Sequence, residues 1–413
     1  MDILRFITAG SVDDGKSTLI GRLLYDSKSI LVDQLEALEK QSKNKNADGI
    51  DLALLTDGLR AEREQGITID VAYRYFNTPQ RKFIIADAPG HVQYTRNMIT
   101  GASNSSLIII LIDARAGVIE QTRRHSIIAS LLKMPHVVVA INKMDLADFS
   151  EARYNEIKAD YEKVAAQLGL SNVTYIPIAA LHGDNIVAPS ANMPWYTGSP
   201  LLQFLEEVEV SEDINHADPR FQVQYVIRPQ TKELHDYRGY AGEIVSGIYK
   251  KGDKITVLPA GIETTLSKIE IAGEEVEEAF APQAVVLHLA DDIDISRGDT
   301  FVHSDNQPKV ESEIEVLLCW LDNKPLIQGN KYFLQHKGRL LRTIVKEIEY
   351  KLDVNTLEHT AVTDNVKLNE VVKAKIKTAQ PLVYDPFDRI SDYGNAILVD
   401  ETSNSTVAAV LLS

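Results

Sequence analysis

The first half of the sequence alternates short apolar runs with longer segments in which apolar residues recur about every three or four positions. The periodic segments predict helices, such as Thr18–Leu24, Thr122–Leu132 and Ala152–Leu168. The apolar runs predict the strands Ile3–Ala9, Val71–Phe76, Lys82–Asp87, Leu107–Asp113, Val137–Asn142 and Tyr175–Ile178. Because three of these runs are almost continuously apolar, their strands should be buried on both faces, which is typical of a mostly parallel α/β sheet.

The pattern changes after Val210. A polar segment at residues 211–219 indicates a linker, and beyond it short alternating runs are separated by Gly, Asp and Asn. The predicted strands there cover residues 221–227, 239–248, 253–258 and 285–289. A second polar break at residues 304–308 precedes similar runs up to Leu412. We therefore predict an α/β domain followed by two antiparallel β-barrels, over residues 1–210, 211–307 and 308–413.

Composition narrows the class of protein. With 413 residues, 44% of them hydrophobic and 25% charged, the chain is globular, and no apolar run approaches the length of a membrane span. Met1 stands directly before the first predicted strand, so no signal peptide is expected. The single Cys319 excludes an internal disulfide and a cysteine-rich metal site. These features predict a soluble cytoplasmic protein, and the net charge of −16 argues against nucleic-acid binding by bulk charge.

The segment after the first predicted strand has the pattern G-x-x-x-x-G-K-S of a phosphate loop. Its residues are Gly10, Ser11, Val12, Asp13, Asp14, Gly15, Lys16 and Ser17. The two glycines let successive backbone N–H groups turn inward, and the helix predicted to begin at about Lys16 points its positive end at the same anion. Lys16 can reach the outer phosphates, and the Ser17 hydroxyl can hold Mg²⁺.

A second candidate segment follows the strand Lys82–Asp87 and consists of Asp87, Ala88, Pro89, Gly90 and His91. At the carboxyl end of a strand, Asp87 can hold Mg²⁺ through a water, and the Gly90 N–H can meet the terminal phosphate. His91 would then lie where a side chain orients the attacking water. Thr68, in a charged stretch upstream, can supply a second hydroxyl to Mg²⁺. The candidate catalytic residues are His91, Lys16 and Thr68.

A third segment predicts which base is bound. It follows the strand Val137–Asn142 and consists of Asn142, Lys143, Met144 and Asp145. The Asp145 carboxylate accepts both adjacent donors of guanine, whereas adenine would leave it unpaired. Lys143 can cover the base plane with its stem, and Asn142 can tie this loop to the phosphate loop. After the next strand, a backbone N–H of the segment Ala179, Ala180 and Leu181 can meet guanine O6.

With these motifs placed, the chain resembles translation-factor-type GTPases, an α/β P-loop GTPase domain followed by two β-barrels. More closely it resembles the GTPase subunit of the two-subunit bacterial sulfate adenylyltransferase. Asp14 stands where translation factors usually have His, and the other similar stretches are residues 57–75, 91–97 and 291–299. The chain departs from the usual pattern at Ala88, Val92 and Ala179.

The resemblance implies a GTPase that uses GTP and Mg²⁺ and acts with a catalytic subunit that binds ATP and sulfate. That subunit makes adenosine 5′-phosphosulfate and pyrophosphate, and GTP hydrolysis drives this uphill reaction in a hetero-oligomer without membrane or nucleic acid. A fused adenylylsulfate kinase, present in some relatives, is not expected. The alternative is a translation elongation factor that binds aminoacyl-tRNA, which shares the same motifs. A third possibility is a regulatory GTPase that acts only as a binding module. Asp14 and residues 57–75 favour the GTPase subunit of sulfate adenylyltransferase over the translation factor.

Overall fold

The chain divides into two compact units, Met1–Val210 and Ser211–Ser413. The computed structural model describes residues 3–11, 13–28, 52, 72–88, 98, 101, 102, 105–210, 214–229, 237–353, 358–362 and 365–413. The first unit contains helices on a mostly parallel sheet, and the second contains two antiparallel barrels. This architecture confirms the predicted fold class.

The sheet of the first unit has six strands in the order β2-β3-β1-β4-β5-β6. They are β1 (Ile3–Ala9), β2 (Ala72–Asn77), β3 (Lys82–Asp87), β4 (Leu107–Asp113), β5 (His136–Asn142) and β6 (Val173–Pro177). The edge strand β2 is antiparallel to β3, and the other pairs are parallel. Every residue of β4 is buried, as its uninterrupted apolar sequence predicts.

The helices described in the first unit are α1 (Lys16–Asp26), α2 (Glu120–Leu131), α3 (Glu151–Leu168) and α4 (Leu201–Glu207). A short 3₁₀ turn, Met144–Ala147, follows β5. The three predicted helices are confirmed, and each end lies within two residues of the predicted one. Helix α4 was not predicted. Its Leu201 and Leu205 are fully buried in a core cluster shared with α1 and the sheet, so it closes one face of the unit.

The first barrel of the second unit closes through six strands in the order β11-β16-β7-β9-β15-β12, because β12 also pairs with β11. The strands from β7 to β16 are Arg220–Gln222, Tyr225–Ile227, Gly239–Ser246, Ile248–Lys250, Lys254–Leu258, Ile262–Ile271, Glu274–Val276, Glu278–Phe280, Ala284–Leu289 and Thr300–His303. Of these, β8, β10, β13 and β14 are short strands outside the closed ring. The barrel interior holds aromatic residues such as Phe221, Tyr249 and Phe301.

The second barrel closes in the order β18-β22-β23-β17-β21-β19, because β19 also pairs with β18. The strands from β17 to β23 are Lys309–Trp320, Lys331–His336, Arg339–Leu352, His359–Thr360, Val371–Tyr384, Asn395–Val399 and Thr406–Leu412. Cys319 is buried, and burial raises the pKa of its thiol to about 12. Among the described residues, no helix is long and apolar enough to cross a bilayer.

The two barrels are joined by polar contacts in which both partners are buried. Arg220 of β7 makes two hydrogen bonds to the Asp385 carboxylate, at 2.6 and 3.0 Å, and both side chains are completely buried. The Tyr393 hydroxyl lies 2.7 Å from the Thr300 hydroxyl. Removal of one partner of the Arg220–Asp385 pair would leave an uncompensated buried charge, so loss of either side chain should be strongly destabilising.

His336, at the end of β18, is a further buried polar residue close to the contact between the two barrels. Its Nε2–H donates to the Tyr393 carbonyl at 2.8 Å, so Nδ1 carries no proton in the neutral ring. No described residue hydrogen-bonds to Nδ1. Burial, opposed by the Tyr393 hydrogen bond, lowers the pKa of His336 to about 4. The folded protein therefore keeps this ring neutral at pH values where an unfolded chain would protonate it.

We expect the second unit to lose stability between pH 6.5 and pH 4 through His336. The unfolded chain binds one proton more than the folded chain in this window, so the free energy of unfolding falls as the pH falls. With a pKa of about 6.5 in the unfolded chain and of about 4 in the folded chain, the loss is roughly 3 kcal/mol. His336→Gln, which is neutral at every pH, should flatten the pH dependence in denaturant titrations. His216→Gln replaces an exposed histidine of the same unit and should keep the wild-type slope; equal slopes in both variants would contradict the assignment.

Candidate functional site

The predicted functional segments of the first unit follow the carboxyl ends of its parallel strands. Strands β1, β3, β4 and β5 run parallel, and their last residues are Ala9, Asp87, Asp113 and Asn142. The register pairs Asp113 with Asn142 and Thr8 with Asp87. The carboxyl ends of parallel strands are where α/β proteins bind ligands. The structure therefore places the phosphate loop, Asp87 and residues 142–145, called the base loop below, at the carboxyl ends of neighbouring strands.

Gly15 of the phosphate loop directly precedes the first residue of α1. Gly15 has a φ of +90°, and a Cβ at this position would lie 2.5 Å from the Asn142 side-chain nitrogen, so glycine is required twice over. No side chain in the described part of the chain caps α1, and the first turn of this helix contains no acidic residue. In contrast, Ser150 caps α3 by accepting the Arg153 N–H. The open N–H groups and positive end of α1 thus fit an anion such as phosphate.

Lys16 is the first residue of α1 and is 4% exposed. Its ammonium donates to the carbonyl oxygens of Gly10 at 2.9 Å and Ser11 at 3.0 Å, so the side chain lies folded over the loop. Burial lowers the pKa of Lys16, although nearby carboxylates, chiefly Asp87, act in the opposite direction. A buried ammonium in this setting is stabilised by any further anion, which is what a bound phosphate would provide.

Asp14 has a structural role within the loop. Its carboxylate accepts the Ser11 N–H at 2.5 Å, and the residue is 5% exposed. Burial raises the pKa of this carboxyl group. Asp13, in contrast, is exposed. Asp14 therefore shapes the phosphate loop from within.

The base loop is tied to the phosphate loop by Asn142 and Lys143. The Asn142 side-chain nitrogen donates to the Asp14 carbonyl at 2.8 Å, and the Lys143 ammonium donates to the Asp13 carbonyl. The tie predicted for Asn142 is thus present. Asp145, two residues after Lys143, lies at the start of the 3₁₀ turn with its side chain 17% exposed. Its neighbour Met144 is fully buried and anchors the turn.

The segment after β6 completes this end of the site. The Ala180 N–H donates to the Asn142 side-chain oxygen at 3.0 Å, and the Ala179 N–H donates to the Asp184 carbonyl at 3.2 Å. Among the three N–H groups of this segment, that of Leu181 is therefore the one with no acceptor in the described part of the chain. Arg22 of α1 holds the segment by donating to the Ala180 and Leu181 carbonyls.

The residues available to bind Mg²⁺ have side-chain oxygen ligands and lie at the same carboxyl ends of the strands. Ser17 lies in the first turn of α1, and Asp87, 1% exposed, ends β3 and is followed by the buried Ala88. A hydroxyl and a carboxylate suit Mg²⁺, which takes few protein ligands and completes its shell with water and phosphate. The described residues contain no cluster of three or more His, Cys, Asp or Glu arranged to hold a metal. Val12, Thr68, Pro89, Gly90 and His91 lie outside the described residues.

Two residues of the site, Asp113 and His182, were not predicted. Asp113 accepts hydrogen bonds from Lys143 and Arg115, and the His182 ring nitrogen lies 3.6 Å from the Asp145 carboxylate. A signal existed for Asp113, because it is an acidic residue that directly follows an apolar run at the end of a strand, as Asp87 does. His182 gave none, since its role depends on a contact between segments far apart in the sequence.

Family comparisons match both ends of the chain. Residues 1–233 match the family described as elongation factor Tu GTP binding domain. Residues 313–412 match the family described as GTP-eEF1A C-terminal domain-like. The first match covers more than half of the chain and includes every candidate site residue.

Two curated relatives are similar over almost the whole chain. The bifunctional enzyme CysN/CysC of Mycobacterium tuberculosis (strain H37Rv) is 52% identical over 98% of this chain, which spans 66% of that protein. Sulfate adenylyltransferase subunit 1 of Bacteroides fragilis (strain YCH46) is 53% identical, over 100% of this chain and 86% of that protein. Among solved structures, the Saccharomyces cerevisiae Ski7 GTPase-like domain, bound to GDP and inorganic phosphate, is similar in fold. It has a TM-score of 0.52 at 16% identity, with 100% of this chain and 97% of that chain covered.

Proposed function

The chain belongs to the family of elongation-factor-Tu-type GTPases that includes sulfate adenylyltransferase subunit 1, and we propose that it is the GTP-hydrolysing subunit of a two-subunit sulfate adenylyltransferase. Its partner is a catalytic subunit that binds ATP and sulfate. That subunit transfers the adenylyl group of ATP to sulfate, giving adenosine 5′-phosphosulfate and releasing pyrophosphate. Because this transfer is strongly uphill, hydrolysis of GTP on the present chain drives it.

The observation that supports GTP as the ligand is the direct link between the phosphate loop and the base loop. The Asn142 side chain donates to the Asp14 carbonyl, and the Lys143 ammonium donates to the Asp13 carbonyl. These two bonds hold the base loop, which contains Asp145, next to the uncapped end of α1. A triphosphate at the helix end would then present its base to Asp145. The carboxylate accepts the two adjacent donors of guanine, which adenine lacks, so the same arrangement selects GTP over ATP.

For hydrolysis we assign roles to residues on both sides of the phosphates. Lys16 neutralises charge on the outer phosphates, and Ser17 and Asp87 hold Mg²⁺, with Thr68 as a further hydroxyl ligand. When bound, Mg²⁺ would neutralise charge on the β- and γ-phosphate oxygens. His91 orients the attacking water. Thr68 and His91 are assigned from their positions in the sequence motifs.

The proposed partners are a protein and nucleotides. The net charge of −16 disfavours attraction to a nucleic-acid backbone. We therefore place the chain in a hetero-oligomer with the catalytic subunit, in the cytoplasm where ATP and GTP are available. A translation factor that carries aminoacyl-tRNA is the weaker alternative. Asp14 and residues 57–75 are more similar to the corresponding sequence of the sulfate adenylyltransferase GTPase subunit than to that of translation factors. Copurification distinguishes the two, since one predicts a second protein subunit and the other predicts tRNA.

We expect the purified chain alone to hydrolyse GTP slowly and to make no adenosine 5′-phosphosulfate. GTPases that lack a supplied catalytic element have rates of about 10⁻⁴ s⁻¹ in Ras-type proteins, with gains of roughly 10⁵-fold when a partner completes the site. Slow idle hydrolysis also suits a coupling enzyme, because it prevents GTP loss without product. The assay contains ATP, sulfate, GTP and Mg²⁺, and it follows adenosine 5′-phosphosulfate and phosphate with and without the co-encoded partner.

Addition of the partner should give GTP-dependent synthesis together with faster GTP hydrolysis. A non-hydrolysable GTP analogue serves as the control and should support much less synthesis than GTP. Adenosine 5′-phosphosulfate made by this chain alone, or a GTPase rate that does not respond to the partner, would refute the proposal. Synthesis that is indifferent to GTP would leave only a binding role for the chain.

A further inference from the structure

Asp113 is a buried acidic residue at the end of β4 whose carboxylate is fully used. Its Oδ2 accepts from the Lys143 ammonium at 3.0 Å and from Arg115 Nη2 at 2.6 Å. Its Oδ1 accepts from Arg115 Nε at 3.0 Å and from the Arg115 backbone N–H at 2.9 Å. The Asp113 side chain is only 7% exposed. Burial alone would raise its pKa, but these hydrogen bonds outweigh burial and hold the pKa well below its usual range.

Lys143 needs such a partner because its backbone and side chain are both constrained. Its backbone has a φ of +62°, in the left-handed region that residues other than glycine rarely adopt. Its ammonium donates to the Asp13 carbonyl and to Asp113, and thus lies between the phosphate loop and the end of β4. A carbonyl alone would leave the charge of a long, flexible side chain unbalanced. The carboxylate therefore fixes where the stem of Lys143 lies.

We propose that Asp113 is a positioning residue for guanine nucleotide binding, which acts by holding the Lys143 stem against the base plane and the ammonium against the phosphate loop. The inference rests on the proposed GTP-binding function. It adds the end of β4 to the site, because Asp113 of β4 supports the contact between the loops that follow β1 and β5. Asp113 itself does not read the base, which is the role of Asp145.

Asp113 also has a local role that must be separated from this one. Its Oδ1 accepts the Arg115 N–H, and its carbonyl accepts the N–H groups of Ala116 and Gly117. These bonds shape the turn after β4. Asparagine keeps a side-chain oxygen for the Arg115 N–H but loses the charge that holds Lys143. Asp113→Asn therefore tests the positioning role with the turn retained.

We expect Asp113→Asn to weaken both GTP and GDP binding by roughly 10-fold, the usual size for loss of one charge-assisted hydrogen bond. The loss should be equal for GTP and ITP, because the base plane is common to both and Asp145 is intact. Turnover at saturating GTP should be unchanged, so the effect appears in KM and not in kcat. Asp160→Asn removes an exposed carboxylate that accepts from Lys163 on α3 and should leave binding unchanged.

A double-mutant cycle with Lys143→Met, which keeps the stem and removes the ammonium, completes the test. In the Lys143→Met background, Asp113→Asn should change GTP affinity less than about twofold, since the pair is already broken. The full effect in that background, or normal GTP affinity of Asp113→Asn, would overturn the inference while the proposed function stands. Failure of the wild-type chain to bind GTP would instead refute the proposed function. If Asp113→Asn does not fold, Asp113→Glu keeps the charge and should bind GTP less tightly than wild type; unchanged affinity would count against positioning.

Discussion

Replacement of Asp145 by asparagine is expected to convert a GTP-binding protein into one that prefers xanthosine triphosphate. The two oxygens of the Asp145 carboxylate match two adjacent donors on guanine. Asparagine replaces one acceptor by a donor, which repels the guanine amino group and suits the C2 carbonyl of xanthine. Because a mismatched polar group in a closed site is left without a partner, the preference should change by roughly 10⁴-fold.

Competitive titrations of GTP and xanthosine triphosphate against wild type and Asp145→Asn measure this change. Asp148→Asn is the matched control. Asp148 is exposed, lies three residues further along, and has a positive φ of 52° that asparagine tolerates. It should bind GTP as wild type does. Unchanged GTP affinity in Asp145→Asn would show that the carboxylate does not read the base.

The α/β sheet was predictable because its strands are buried on both faces. Strands β1, β3 and β4 have the predicted bounds, since an apolar run that ends at a glycine or a charged residue marks the buried length directly. Helix ends were less exact. Helix α2 begins at Glu120, two residues before the predicted start, because the first turn of a helix can be polar and gives little periodic signal.

The barrels were predictable as a class and not strand by strand. The run at residues 221–227 forms two strands. Between them, the Val223 N–H donates to the Asp299 carbonyl and the Gln224 N–H donates to the Ala241 carbonyl, so the chain changes its pairing partner there. Strand β12, Ile262–Ile271, was missed because its outward positions are Glu, Thr, Ser and Lys.

Long strands of the second barrel alternate charged residues that pair across the sheet. Lys373 lies 2.8 Å from Glu315, and Lys377 lies 3.0 Å from Glu313. Such pairs keep an exposed face stable although it contributes no apolar signal. A prediction based on hydrophobic alternation therefore detects these strands only by their inner faces.

Within the site, the sequence identified groups that act through local motifs and missed groups that act through tertiary contacts. Lys16 and Asn142 each stand in a motif whose spacing alone indicates their chemistry. Asp113 becomes a site residue only because β4 lies between β1 and β5, which brings it within 3.0 Å of Lys143. Sheet order is a property of the fold, and single-sequence patterns do not specify it.

The largest loss of nucleotide affinity is expected for Lys16→Ala. Lys16 is the buried cation of the phosphate loop, and its ammonium is held by the Gly10 and Ser11 carbonyls at 2.9 and 3.0 Å. A bound triphosphate would add charge-assisted hydrogen bonds to this ammonium, each worth roughly 1.5 to 3 kcal/mol. Loss of two such bonds weakens GTP binding by at least roughly 100-fold. Alanine favours helix, so α1 should persist.

Titration with a fluorescent GTP analogue measures the affinity, and circular dichroism verifies that the variant is folded. Lys163→Ala, which removes a lysine 75% exposed on α3, is the control and should bind normally. Ser17→Ala provides an independent arm, since loss of the hydroxyl should chiefly raise the Mg²⁺ concentration that binding requires. Normal GTP affinity in folded Lys16→Ala would mean that the loop between β1 and α1 does not bind phosphate. Because the base loop is tied to that same loop through Asn142 and Lys143, the proposed orientation of the whole nucleotide would then be wrong.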